Sequence, residues 1–104
     1  MKIIASVVAV AALASAAAPA FAQTLGEGDF VRLSRCAGLA EGIGRDAAPF
    51  KETLKGASRH REEYVLSRAD AARRAALREA QRSQGEARGR IEAELSGACS
   101  AFAA

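Results

Sequence analysis

The sequence predicts an all-α fold: a small disulfide-linked helical hairpin or a three- to four-helix bundle. Three observations lead there. Between Arg59 and Ala98 there is no proline, and the composition is rich in alanine and arginine, both strong helix formers. Apolar residues in that stretch recur at three- and four-residue spacing, in the row Leu66, Ala69, Leu77, Ala80, Ala87, Ile91, Leu95 and Ala98, as one helical face requires. Arg73 and Gln84 interrupt the row. The third observation is a pair of cysteines, Cys36 and Cys99, placed near the two ends of the helical region.

The chain opens with a stretch that reads as a cleaved signal peptide, residues 1–22. Lys2 supplies the positive start, Ile3 to Ala14 an apolar run broken by Ser6, and Ala20-Phe21-Ala22 the small-x-small pattern a signal peptidase accepts. Read as a membrane anchor, the same run would have to count Ser15, Pro19 and many weakly hydrophobic alanines to reach the length of a span. Cleavage before Gln23 leaves residues 23–104, which are expected to form a single helical domain with a flexible lead-in, a tail that frays after Cys99, and no transmembrane segment. The expected location is the periplasm if the source is a Gram-negative bacterium, and otherwise the medium.

That mature chain has 82 residues, of which Leu, Ile, Val and Phe make up 14. A share of about 17% is low for an unaided core and leaves disorder as the competing reading. Helix-favouring alanine and arginine and the interleaving of opposite charges argue against it. With Lys2 removed, 14 basic side chains face 12 acidic ones, a formal charge of +2. So small an excess does not mark a nucleic-acid protein, and export points further from that function.

Export also implies a compartment in which thiols oxidise. Two cysteines allow one intramolecular pairing, Cys36 with Cys99, closing a loop of 63 residues. Chain entropy gives such a tie about 4 kcal/mol, enough to decide whether an alanine-rich monomer is folded. A redox centre would place its cysteines close together, as in Cys-x-x-Cys, and a metal site would need more ligands than Cys36, Cys99 and His60. A structural disulfide is therefore expected, with no metal and no cofactor.

Taken in order, the elements justify themselves locally. Gln23 to Gly28 is glycine-rich lead-in, and Asp29 is placed to cap the first helix. Within it Phe30, Leu33 and Ala37 form one row and Cys36, Ala40 and Ile43 an overlapping one, so the helix should touch more than one neighbour. Gly38, Gly42 and Gly44 weaken its end but permit close backbone packing. Asp46 is placed to cap a second helix, with Pro49 in its first turn and Ala47, Phe50, Leu54 and Ala57 on one face. Gly56 and Ser58 mark its end and the next cap.

The last helix begins near Arg59 and, if straight to Ala98, would span about 60 Å. The first two helices are too short to cover it if the second continues away from the first. Either a second subunit covers the remainder or the helix breaks. Ser67-Arg68-Ala69-Asp70 is one candidate break. Ser83-Gln84-Gly85-Glu86 is the stronger, with the spacing of a capping box and glycines at 85 and 89. A bend near Gly85 is expected.

Surface chemistry is sparse. Arg74, Arg78 and Arg82 stand one turn apart, a solvated basic face in the bland reading and a site for an acidic protein surface, lipid phosphate or polyanion in the sharper one. Tyr64, Val65 and Leu66 are the densest apolar cluster of the last helix, expected in the core first and as a partner-binding spot second. His60 lies between Arg59 and Arg61 with no nucleophile or oxyanion donor in view, and phosphate-loop, zinc-protease and EF-hand patterns are absent. No catalytic residues are expected. The residues point to a non-catalytic accessory protein of the cell envelope that binds another protein or self-associates, with Tyr64, Leu66, Leu77 and the three arginines as contact candidates. The alternative is a periplasmic stress-related chaperone or polyanion-binding protein using the arginine-rich helix.

Overall fold

The computed structural model describes residues 25–103. The expected signal peptide, with Gln23, Thr24 and Ala104, lies outside the described residues. The described chain is a four-helix bundle closed by a disulfide, with no β-sheet among the described residues: α1 (Glu27–Gly42), α2 (Ala48–Ala57), α3 (Glu63–Arg82), α4 (Gly85–Ser96), then a 3-10 turn (Ala98–Phe102). None of these helices is long and apolar enough to cross a membrane.

The bundle is built around α1. Its two overlapping apolar rows are both used: Phe30, Leu33, Cys36, Ala37, Leu39, Ala40 and Ile43 are all buried, and Leu33 and Leu39 have no exposed surface. Each such leucine is worth about 1.5–3 kcal/mol of burial. Every other element packs on this helix, α3 most extensively. The one fully buried hydroxyl in it, Ser34, donates to the Phe30 carbonyl at 3.2 Å.

The first turn-back corrects the expected topology, in which α2 ran on from α1. Gly44, at φ 77°, sits in the left-handed region that glycine enters without penalty. The amides of Gly44 and Arg45 then bond back to the carbonyls of Glu41 and Ala40, a Schellman closure that reverses the chain. As a result α2 runs antiparallel to α1. Lys51 reaches Glu41 at 2.9 Å, and Arg61, just past α2, donates to the Leu25 carbonyl at 2.6 Å and covers the Phe30 ring at 4.7 Å. Ala47, Phe50 and Ala57 are buried and Leu54 packs partly against the core, the face the spacing predicts.

Because α2 returns, α3 starts at the same end as α1 and runs parallel to it. Glu27 meets Tyr64 and Arg68 near their first turns, while Gly42 meets Ala80 near their last. The two helices touch through small residues. A methyl group added at Gly38 would lie 3.0 Å from the Ala76 Cβ and would collide with the Arg73 carbonyl; one at Gly42 would lie 2.7 Å from the Leu77 carbonyl and would collide with Ala80. Small-x-x-x-small spacing lets helix backbones approach this closely.

The break near Gly85 is where the sequence places it. Helix α3 ends at Arg82, Ser83 and Gln84 are extended, and Gly85 opens α4 at φ 56°. Helix α4 folds back antiparallel to α1, Arg88 donating to the Ile43 carbonyl at 3.0 Å near its start. Beyond its end Cys99 is bonded to Cys36, with a Cα–Cα distance of 5.8 Å. Within the described part of the tail Phe102 is buried, and its carbonyl accepts a hydrogen bond from Thr53 of α2 at 3.0 Å.

Several expected caps are corrected. Helix α1 starts two residues before Asp29, which lies in the first turn, and Gly26 takes the cap position. Asp46 does accept an α2 amide, that of Ala48 at 3.0 Å. Ser58 and Ser83 instead donate to the carbonyls of the helices they follow, Lys55 at 3.1 Å and Ala80 at 2.6 Å. Serine hydroxyls choose between amides ahead and carbonyls behind, and the turn geometry here favours the latter. Ser67 lies within uninterrupted α3.

Candidate functional site

The outer face of α3 is the candidate interaction surface, and the way α3 is held explains its exposure. Of its 20 residues only Val65, Ala69, Ala76 and Ala80 are buried. The contact row is therefore rotated from the expected one: Leu66 is 37% exposed, Leu77 is half-buried, and Val65 and Ala76 take the inward places. Opposite Gly38 and Gly42 the backbones lie too close for a leucine, so Ala76 and Ala80 fill the seam there and Leu77 stands aside. Tyr64 is 54% exposed, correcting the expectation that it is core.

Polar links hold the same helix along its length. The Tyr64 hydroxyl donates to Glu27 at 3.0 Å, and that hydrogen bond, with the nearby carboxylate charge, pushes the phenol above its ordinary value. Arg68 also reaches Glu27. In the middle, Arg73 grips Glu41 with two hydrogen bonds of 2.9 Å each. The Arg73 guanidinium, opposed by partial burial and aided by Lys51, holds the Glu41 carboxyl below the usual range. Near the end of α3, Arg35 bonds to Glu79 at 3.1 Å and, with its other edge, to Glu94 of α4 at 2.8 and 3.0 Å.

Sequence reading missed these links. Arg73 was visible only as an interruption of the apolar row, and its separation from Glu41 is 32 residues. Arg35, Glu79 and Glu94 carried no local signal at all.

The three predicted arginines behave differently from Arg73. Arg74 pairs within its own helix with Asp70 at 3.0 Å and remains largely exposed. Arg78 and Arg82 are exposed and have no acidic partner within 4.0 Å among the described residues. Arg82 also borders a groove of about 540 Å³ between the end of α3 and α4, shared with Ser83, Ala87, Arg90 and Ile91. Cys36 and Cys99, brought together as expected, lie in the core and present no surface.

His60, the remaining chemically active side chain, is exposed at the turn between α2 and α3 at φ 65°, in the left-handed region. It lines a second hollow, of about 580 Å³, with Leu25, Gly56, Ala57, Arg59 and Arg61. No group of three or more His, Cys, Asp or Glu side chains among the described residues is arranged to hold a metal ion. Comparison with protein-family models, with curated proteins and with solved structures finds no match to this chain.

Proposed function

We propose that this chain is an exported, non-catalytic helical accessory protein that engages another envelope protein through the outer face of α3. The observation that carries the reading is the one-sided attachment of that helix. Its inner seam is narrow and occupied by α1, while Arg74 and Arg78 stand outward on a helix kept rigid by links to Glu27, Glu41 and Arg35. Arginines on a held helix suit carboxylate groups on a partner, because the planar guanidinium donates two parallel hydrogen bonds. Leu66 adds apolar area on a neighbouring flank. Self-association loses part of its motive, since α1 and the fold-back of α4 bury Ala69, Ala80, Ile91 and Leu95 of the apolar row.

The test is cross-linking in envelope extracts, comparing the natural protein with Arg74→Glu/Arg78→Glu. A defined cross-linked partner that disappears in the variant, with the helical spectrum unchanged, is the expected result. Identical cross-links from both proteins, or none from either, would overturn the reading. The chaperone alternative rests on the same arginines; it requires suppression of client aggregation that weakens as salt rises, which a dedicated partner-binding protein does not show.

A further inference from the structure

The groove between α3 and α4 has a chemistry of its own. The two helices are joined through Ser83-Gln84, touch each other little and both lean on α1, so a cleft remains between them. Arg35 crosses it as a strut, bonded to Glu79 on one wall and to Glu94 on the other. Both carboxylates are thereby engaged. Arg82 and Arg90 also line the cleft, both exposed and neither with an acidic partner within 4.0 Å among the described residues. The lining carries three guanidinium groups against two carboxylates, an excess of one positive charge. Between them lies a small apolar patch, chiefly half-buried Ala87 with the edge of Ile91, which is 4% exposed.

We propose that this groove is a binding site for a small amphiphilic monoanion, a carboxylate with an aliphatic body, held by Arg82 and Arg90 with its body on Ala87 and Ile91. The single excess charge matches a monoanion better than a phosphate dianion. A hollow of about 540 Å³ with a small apolar patch among charged anchors offers a short aliphatic chain with an anionic head a contact for each part. Arg35 contributes by holding the walls apart, since its donors are already committed. The site is independent of Arg74 and Arg78 and goes beyond the partner-binding reading.

Octanoate is the probe, with acetate, octylammonium and octyl glucoside as comparisons, titrated calorimetrically into the oxidised protein. Saturable octanoate binding is expected, at least tenfold tighter than acetate or octylammonium. Arg82→Gln/Arg90→Gln should weaken it at least tenfold, while Lys55→Gln, which removes a charge elsewhere, should not. Neither arginine makes an ion pair within the described residues, so the double variant is expected to keep the natural unfolding midpoint. Octanoate binding that persists in the double variant, is matched by octylammonium or acetate, or fails to saturate below its micelle concentration overturns the proposal.

Discussion

Gly42 on α1 lies so close to Ala80 on α3 that no side chain fits between them: a methyl group there would strike the Ala80 methyl and stand 2.7 Å from the Leu77 carbonyl. On helix propensity alone, Gly42→Ala would be favourable by about 1 kcal/mol. Displacing a neighbouring helix backbone costs about 1–3 kcal/mol and should win. We expect Gly42→Ala to lower the unfolding midpoint in denaturant. Gly89, with nothing within 4 Å of an added methyl, should behave oppositely, Gly89→Ala gaining about 0.5–1 kcal/mol. Equal shifts in the two variants would show that the α1–α3 seam is looser than described.

Glu41 sets an acid limit on the same seam. Arg73 first, with Lys51, holds its carboxyl in the folded protein below its ordinary value near 4.5, despite opposing burial. A depressed folded value means the contribution is fully present above about pH 4.5 and drains away as pH falls through the folded value. Unfolding free energy measured across pH 2–7 should therefore drop on acidification, and Glu41→Gln should flatten that limb while lowering stability at neutral pH. An acid limb of unchanged slope in the variant would remove Glu41 from this role.

The disulfide should matter more than any single surface contact. With Cys36 and Cys99 buried and 63 positions apart in sequence, reduction or Cys36→Ala/Cys99→Ala should cost about 2–4 kcal/mol. Denaturant titrations with and without reductant, alongside intact mass for the missing pair of hydrogens, measure this. The loss should fall first on α4 and the Phe102 turn, visible as faster amide exchange there than in α1.

Helix positions were legible because their signals are local: Pro49 and Asp46 at the start of α2, the glycines at 44 and 85, the apolar rows of α1. The direction of α2 was not, because it depends on the conformation of Gly44 rather than on its presence. The inward face of α3 was misjudged by one residue for a related reason. Leu66 and Leu77 are its conspicuous apolar groups, yet opposite Gly38 and Gly42 the seam admits only methyl-sized neighbours, so Ala76 takes the inward place beside Leu77; Val65 is buried in place of Leu66 at the other end of the helix, away from those glycines. The Cys36–Cys99 tie was legible from counting alone. Arg78 and Arg82 were legible as a basic face, but the groove that Arg82 borders was not, because Arg90 belongs to a different helix and only the fold-back at Gly85 brings the two beside one cleft.

The parallel course of α1 and α3 bears on the order in which the chain can fold. Neighbouring helices that run the same way cannot zip together from a tight turn; a whole intervening helix has to reverse the chain first. As the polypeptide is made from its N-terminal end, α1 and α2 can pair early as a hairpin, but the glycine side of α1 stays bare until α3 emerges, and Cys36 stays a thiol until Cys99 does. Of the described helices, the earliest synthesised is thus the last to have all its neighbours, and a nascent chain stalled before α3 is made would present the glycine-lined side of α1 unprotected.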